Sequence, residues 1–139
     1  MGQSQRIDRN PDRNKAARMA TILVVDDDYG TAELLEVVLI QEGHDVLLAA
    51  GGQQALDLLK TEQPDLIFLD YLMPGMDGAA VLTTMAKNPA LQGIPVVLMS
   101  AEPEAEVIER CSGYVAFMRK PLQLDHIRAF VERIGTSLM

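Results

Sequence analysis

The order of apolar and amphipathic segments constrains the fold of this chain more than any other feature. Five short apolar runs alternate with five segments whose apolar residues recur at helical spacing. Because every connection between the runs is a helix, we expect a parallel sheet with right-handed crossovers and helices on both faces. The sequence therefore predicts an α/β, doubly wound, five-stranded fold with strands at about 21–25, 45–50, 66–69, 94–99 and 114–118, and helices at about 29–42, 55–62, 78–87, 103–111 and 124–134.

Carboxylates follow two of these apolar runs at the point where the predicted strand ends. Asp26, Asp27 and Asp28 follow the first run, and Asp70 is the first residue past the third. The carboxyl ends of parallel strands meet at one edge of a sheet, where ligands and chemistry gather. Two unit charges ~4 Å apart repel by roughly 4 kcal/mol at an effective dielectric of about 20, so acids in a shared pocket need a cation. Clustered carboxylate oxygens suit hard divalent ions, and Mg²⁺ in particular.

The remaining polar residues of interest fall into two groups. Ser100 lies at the tip of the fourth predicted strand and Lys120 at the exit of the fifth, so four strand ends carry acid, acid, hydroxyl and amine in chain order. The second group fits structural roles instead: a helix cap for Asp28, a turn before Gly78 for Asp77, a solvated turn for His44, and a small apolar position late in the fourth helix for Cys111.

Length, composition and charge favour a single cytoplasmic domain. The chain has 139 residues and one Cys, and no apolar run approaches the ~18 residues that span a bilayer. Its net charge of −8 is uneven, because residues 1–20 hold five basic and two acidic residues, whereas residues 21–139 hold 7 basic and 18 acidic ones. We expect a flexible N-terminal leader at 1–20, no membrane association, and no nucleic-acid binding by the domain alone.

Four motifs together resemble a known family. They are Val24-Val25-Asp26-Asp27, Leu69-Asp70-Tyr71-Leu72-Met73-Pro74-Gly75-Met76-Asp77-Gly78, Val97-Leu98-Met99-Ser100-Ala101 and Arg119-Lys120-Pro121. Over about residues 21–135 the chain is similar to the receiver domain of bacterial two-component response regulators. The resemblance implies the flavodoxin-like strand order 2-1-3-4-5 with five helices. A receiver domain would span 21–135 and a C-terminal tail 136–139.

The resemblance implies that Asp70 is the phosphoacceptor, which attacks a phosphohistidine or a small phosphodonor to form an acyl phosphate. Mg²⁺ would be bound directly by Asp27, Asp70 and the backbone carbonyl of Leu72, and mainly through a water by Asp26. Lys120 would pair with Asp70 and then with the phosphoryl oxygens. Self-dephosphorylation would be the only other reaction, so the protein would not be an enzyme in the usual sense.

The resemblance also implies a switch and its partners. Ser100 would donate a hydrogen bond to the phosphoryl group, and Phe117 would swing into the space that Ser100 leaves. Pro121 would follow a cis peptide bond. The fourth helix, fifth strand and last helix would form the surface read by a downstream protein target or by an output domain missing from this sequence. The phosphodonor would be a sensor histidine kinase or a histidine phosphotransfer protein, and phosphorylation could drive formation of a homodimer.

Three departures from the family pattern bear on function. Leu72 is apolar where many members have a polar residue that positions the hydrolytic water, so we expect slow self-dephosphorylation. Phe117 lacks the hydroxyl of a Tyr. The segment between Ser100 and Lys120 is about two residues shorter than the family pattern, which affects the length of the fourth helix.

Two alternative functions remain open from the sequence. A degenerate receiver would act as a phosphorylation-independent interaction module, although the acid pair, the acceptor and the lysine are all present. A phosphatase of the haloacid dehalogenase type would use Asp26 as nucleophile, because Asp26-Asp27-Asp28 satisfies its Asp-x-Asp motif. That phosphatase expects Thr or Val where this chain has Gly30, and it gives Asp70 no role.

Overall fold

The computed structural model describes residues 20–138, with side chains described as far as Arg133. The leader expected at 1–20 therefore lies almost entirely outside the described residues, and so does Met139. Between residues 20 and 138, no helix combines the length and the apolar character needed to cross a bilayer.

Five strands form a single parallel sheet in the order β2-β1-β3-β4-β5. Three of them, β1, β3 and β4, are buried along their whole length, as near-continuous apolar strands covered on both faces should be. The predicted fold and the strand order implied by the resemblance are both confirmed. The strands are β1 (Thr21–Val25), β2 (Asp45–Ala49), β3 (Leu66–Asp70), β4 (Val96–Ser100) and β5 (Ala116–Arg119).

Among residues 20–138, five helices cover the two faces of the sheet and enclose two apolar cores. On one face Leu35 of the first helix and Ile127 of the last pack with Val24, and on the other Val81 of the third helix packs with Val25. Alternate residues of one strand thus enter opposite cores, as the period of a strand requires. The helices are α1 (Tyr29–Gln41), α2 (Gly52–Leu58), α3 (Gly78–Ala86), α4 (Glu104–Val107) and α5 (Leu124–Leu138).

Several element boundaries differ from the sequence prediction. The largest difference is in α4, which was expected over 103–111 but ends at Val107, its one buried residue. Because a helix in a protein is stabilised mainly by packing of its apolar face, a longer α4 would gain little. The second helix ends at Leu58 rather than near residue 62, and α5 continues to Leu138, through most of the expected tail. Asp70 is the last residue of β3, not the first residue past it.

His44 is buried, so its predicted position in a solvated turn is wrong. Its Nδ1 accepts a hydrogen bond from the backbone N–H of Ala20 at 3.2 Å, which ties the turn before β2 to the residue before β1. A buried polar group needs such a partner, and the residue before the neighbouring strand β1 supplies it. Cys111 is buried as expected, but it follows α4 instead of lying within it.

Candidate functional site

Three carboxylates converge at the carboxyl edge of the sheet. Ligand oxygens of Asp26, Asp27 and Asp70 all lie within 4.8 Å of one another. Asp70 ends β3, and Asp26 and Asp27 follow β1, the strand that pairs with β3. Asp26 and Asp70 are 3% and 4% exposed, whereas Asp27 is exposed. The structure therefore brings the three predicted acids together, with Asp27 at the solvent side.

The ammonium of Lys120 lies between the two buried carboxylates. Its Nζ is 2.8 Å from Asp26 Oδ2 and 3.1 Å from Asp70 Oδ1. Lys120 follows β5, which pairs with β4 and not with β3, so its long side chain reaches across the end of β4 to the acids. The peptide bond between Lys120 and Pro121 is cis. A lysine ammonium is a compact charge on a flexible stem, so it can follow an anion that enters this pocket.

The pocket raises the pKa of both Asp70 and Lys120, for different physical reasons. Burial, and then the negative charge of Asp26, raises the pKa of Asp70 to about 7, against the opposing charge of Lys120. Burial acts to lower the pKa of Lys120, but the contacts with Asp26 and Asp70 outweigh it and raise that pKa. Lys120 is therefore charged at neutral pH. A divalent cation at the acids would shift Asp70 toward its ionised form.

Ser100 places a hydroxyl beside this pocket. It ends β4 and is 2% exposed, and the residue before it, Met99, pairs with Asp70 in the neighbouring strand. Its Oγ accepts a hydrogen bond from the Glu102 N–H at 2.9 Å, so this bond does not use the hydroxyl hydrogen. The Ser100 carbonyl in turn accepts from the Lys120 N–H at 2.8 Å, which keeps the ends of β4 and β5 together.

The segment after Asp70 is held by a close backbone approach at Gly78. A Cβ at this position would lie 2.7 Å from the Asp70 carbonyl oxygen and 3.0 Å from Tyr71 Cα. The Gly78 N–H donates to the Tyr71 carbonyl at 2.8 Å. Asp77, which precedes Gly78, caps α3 by accepting from the Ala80 N–H at 2.9 Å. Glycine at residue 78 thus allows the start of α3 to pack directly on the end of β3.

The carboxylate of Asp28 is outside the acid cluster and caps α1, as the sequence predicts, while its backbone N–H donates to Asp26 Oδ1 at 2.9 Å. Its carboxylate accepts from the Gly30 N–H at 3.1 Å and from the Thr31 hydroxyl at 2.8 Å. These hydrogen bonds, with the Thr31 hydroxyl first, lower the pKa of Asp28. The Asp-x-Asp motif required by a haloacid dehalogenase therefore has its second acid engaged with its own helix.

Leu72 and Phe117 lie near the site without joining its polar contacts. Leu72 follows Asp70 by two residues, and its side chain is 53% exposed. Phe117 is half-buried in β5, where it packs on the core beneath α2, α3 and α4. Its ring centroid is 6.2 Å from that of Tyr114. The roles implied for the Leu72 carbonyl and for Phe117 remain predictions.

Sequence reasoning missed a contact among three side chains that joins the loop after β3 to the segments before and after α4. Arg110 Nη1 lies 3.3 Å from the Tyr71 hydroxyl oxygen and 3.3 Å from Glu102 Oε1. We call these three residues the Arg110 bridge. Tyr71 directly follows Asp70, and Arg110 and Tyr71 are 39 residues apart in the chain. No spacing or motif signals a contact of this range, which exists only because the fold places the two loops side by side.

Comparison with known proteins agrees with this geometry. The family model for the response regulator receiver domain matches residues 22–132. Sporulation initiation phosphotransferase F of Bacillus subtilis (strain 168) is 40% identical over 114 residues, which cover 81% of this chain and 90% of that protein. DNA-binding response regulator MtrA of Mycobacterium tuberculosis (strain ATCC 25618 / H37Rv) is 36% identical over 112 residues. That match covers 79% of this chain and 48% of MtrA, so the chain spans about half the length of that relative.

Comparison with solved structures also finds response regulators and their receiver domains. The receiver domain of the Francisella response regulator 1452 is 28% identical, with a TM-score of 0.74 and coverage of 86% of this chain and 99% of that one. The Mn²⁺-bound form of response regulator Rcp1 is 27% identical, with a TM-score of 0.71 and coverage of 84% and 92%. The match to the family model, the identity to curated relatives and the shared fold lead to one conclusion: the chain belongs to the response regulator receiver domains, the signalling modules of two-component systems.

Proposed function

We propose that this receiver accepts a phosphoryl group on Asp70 from the phosphohistidine of a sensor histidine kinase or a histidine phosphotransfer protein. The observation that carries the proposal is the position of Asp70 itself. It is a buried carboxylate at a strand end, with two further acids within 4.8 Å and the Lys120 ammonium at 3.1 Å. Such a pocket suits an anion that arrives where a divalent cation is already held.

The donor set fits Mg²⁺, which we propose as the cofactor. Clustered carboxylates of which two are buried repel one another, and hard divalent cations prefer oxygen ligands. Asp27 and Asp70 would hold the ion directly, together with the Leu72 carbonyl, and Asp26 would act mainly through a water. When bound, the ion offsets the repulsion between the acids and an incoming phosphoryl group. The Mn²⁺-bound form of Rcp1 supports divalent-cation binding within this family.

In the transfer step, one carboxylate oxygen of Asp70 attacks phosphorus. The P–N bond to the donor imidazole breaks, its electron pair returns to the imidazole nitrogen, and Asp70 becomes an acyl phosphate. Lys120 then pairs with the phosphoryl oxygens in place of the Asp70 carboxylate. The Ser100 hydroxyl donates to the same group, for which its hydrogen is not used by the bond from Glu102.

Phosphorylation adds about 1.5 to 2 negative charges to the pocket, and this charge drives the proposed switch. Ser100 moves toward the phosphoryl oxygens, and Phe117 fills the space behind it. The surface formed by α4, β5 and α5 then changes its shape. We propose that a downstream protein, an output domain or a second copy of this domain reads that surface.

Two relatives support two different roles for the phosphorylated form. The name of Sporulation initiation phosphotransferase F supports a relay that passes the phosphoryl group to another protein. The DNA-binding regulator MtrA, twice as long as the matched region, supports an output domain as the reader. Both roles use the same acceptor chemistry. We place the reaction in the cytoplasm, in agreement with the composition of the chain.

The test is the intact mass of the protein after incubation with acetyl phosphate and Mg²⁺. We expect the wild type to gain one phosphoryl group, and we expect this gain to disappear with EDTA and in Asp70→Asn. Asp28→Asn is the matched control, because it removes a nearby carboxylate that caps α1 and lies outside the acid cluster. It should be phosphorylated like the wild type.

The contrary results identify the alternatives. No gain in the wild type would contradict the proposal and favour a phosphorylation-independent interaction module. A gain that persists in Asp70→Asn but is lost in Asp26→Asn would favour the haloacid dehalogenase chemistry.

A further inference from the structure

We propose that Arg110 is a positioning residue that holds Ser100 in its resting place and thereby opposes phosphorylation, an inference that rests on the proposed function of Asp70. The Arg110 bridge joins the loop after β3 to the loop after β4. The first loop directly follows the phosphoacceptor, and the second directly follows Ser100, whose hydroxyl must move.

One end of the bridge is fixed. Tyr71 is 3% exposed, and its backbone N–H donates to the Met99 carbonyl at 2.8 Å. Its own carbonyl accepts from the Gly78 N–H. The Tyr71 hydroxyl therefore has little freedom to follow a displacement of Arg110, and it serves as an anchor for the guanidinium.

The other end of the bridge is attached to Ser100. Arg110 Nη1 lies 3.3 Å from Glu102 Oε1, and the Glu102 N–H donates to Ser100 Oγ at 2.9 Å. A shift of Ser100 toward a phosphoryl group carries Glu102 with it, because the two residues are joined by this bond and by two peptide units. Arg110 then loses one of its two partners. The complete bridge thus belongs to the resting arrangement.

The expected size of the change in phosphorylation depends on how far the contact between Arg110 and Glu102 is exposed to solvent. The side chains of Arg110 and Glu102 are 56% and 29% exposed, so solvent weakens their attraction. A contact made in only one of two states shifts their equilibrium by its own free energy. We therefore expect a change of about fivefold in that equilibrium, at the lower end of what coupled sites show.

The experiment compares Arg110→Ala with the matched control Arg128→Ala. Arg128 donates to Gln41 Oε1 at 3.1 Å, a contact between α5 and α1 that does not include the loop after β3 or the loop after β4. With acetyl phosphate and Mg²⁺, Arg110→Ala should be phosphorylated about fivefold faster than the wild type and should bind beryllofluoride about fivefold more tightly. Arg128→Ala should match the wild type. Arg110→Lys, which keeps the charge without the planar fork, should give an intermediate rate.

A rate in Arg110→Ala equal to or below that of the wild type would overturn the inference. Simple loss of stability does not predict faster phosphorylation with tighter beryllofluoride binding, so these two measurements separate positioning from a general structural role. The expected Tyr71→Phe effect has the same direction, because this change removes the hydroxyl and leaves the ring in the core.

Hydrogen exchange of the unphosphorylated protein separates this inference from the proposed function. The Glu102 amide should exchange several-fold faster in Arg110→Ala than in the wild type, while amides of β1 and β3 exchange at unchanged rates. If the wild type gains no phosphoryl group, the proposed function fails, and the exchange result still decides whether Arg110 holds this loop. Unchanged exchange at Glu102 would show that it does not.

Discussion

Ionisation of Asp70 favours the proposed chemistry but lowers the stability of the fold. In the proposed transfer Asp70 must be ionised to attack phosphorus, yet burial and Asp26 favour its protonated form and raise its pKa to about 7. Lys120, at 3.1 Å, offsets part of this cost. The folded protein therefore binds the Asp70 proton more tightly than the unfolded chain does, and ionising Asp70 without a cation destabilises the fold.

Because ionising buried Asp70 destabilises the fold, the effect of Asp70→Asn on the free energy of unfolding should depend on pH. The ordinary pKa of the group is 3.8, so between about pH 4 and about pH 7 the unfolded wild type loses this proton while the folded wild type still holds it. The stability of the wild type relative to Asp70→Asn should fall over this window, by about 2 kcal/mol between pH 5 and pH 8. Urea unfolding in EDTA at both pH values measures the difference. A difference that does not change with pH would show that Asp70 ionises as an ordinary carboxyl.

The apolar side chain of Leu72 predicts a long lifetime for the proposed acyl phosphate on Asp70. Its side chain is 53% exposed two residues after Asp70, where an apolar group cannot hold a water by hydrogen bonding. Leu72→Asn should therefore speed hydrolysis of the acyl phosphate by about tenfold, less than the ~10²–10⁴-fold that a positioned general acid or base typically contributes. Loss of the phosphoryl mass over time measures the rate. Equal lifetimes in the two proteins would remove this explanation, and Leu124→Asn, an exposed leucine on α5, controls for the change of residue type.

At the scale of elements, the polar residues of the site lie at strand ends or directly after them, where the chain leaves the sheet. Asp70 ends β3, and eight residues later Gly78 begins α3 with its backbone against the Asp70 carbonyl. Asp77 caps the same helix. The loop between the two elements is thus held at both ends, and the geometry of the acceptor depends on how closely α3 approaches β3.

Gly78→Ala should therefore damage both stability and function. The added Cβ would lie 2.7 Å from a backbone oxygen, so either β3 or α3 must move. Forcing extra atoms into packed structure costs about 1–3 kcal/mol, and a displaced Asp70 should also slow phosphorylation. Gly93→Ala is the control, since no atom lies within 4 Å of its added Cβ. Thermal unfolding measures the loss of stability, and the intact-mass assay measures the rate of phosphorylation. If Gly78→Ala behaves like Gly93→Ala in both, the close approach of α3 to β3 is not needed.

The elements also show what the sequence predicts well and what it does not. Strongly apolar strands such as β1 and β3 were predicted within a residue, because their burial on both faces leaves a continuous pattern. The length of α4 was not, because its glutamates are good helix formers in the sequence, whereas only Val107 of this helix is buried. The burial of His44 was missed for a related reason, since the turn from α1 to β2 has a polar sequence although His44 is buried there. The Arg110 bridge depends on contacts between distant loops, which no local pattern encodes.

At the scale of the molecule, the site joins residues from four of the five strands at one edge of the sheet. Acids come from β1 and β3, a hydroxyl from β4 and an amine from the exit of β5. The body of the chain is strongly acidic, with 18 acidic and 7 basic residues over 21–139. A cation at this edge therefore relieves repulsion among elements that are far apart in the sequence.

Mg²⁺ should accordingly stabilise the whole domain and not the site alone. At ten times its dissociation constant, an ion that binds only the folded state adds about 1.4 kcal/mol to the free energy of unfolding. In a domain of this size that corresponds to a rise of about 5 °C in Tm. Asp27→Asn, which removes the exposed acid of the cluster, should lose most of this rise, whereas Asp57→Asn on α2 should retain it. An equal rise in Asp27→Asn would mean that the stabilising ion binds elsewhere.

The interior position of β1 has a consequence for how this chain matures during synthesis. β1 leaves the ribosome before the other strands, yet it lies between β2 and β3, so one of its edges stays unpaired until β3 has been made. The ion pair between Asp26 and Lys120 closes later still, when β5 joins the sheet. Long-range pairings of this kind form late because the intervening chain must first be ordered. A nascent chain therefore cannot complete the pocket formed by Asp26, Asp70 and Lys120 before its last strand is in place.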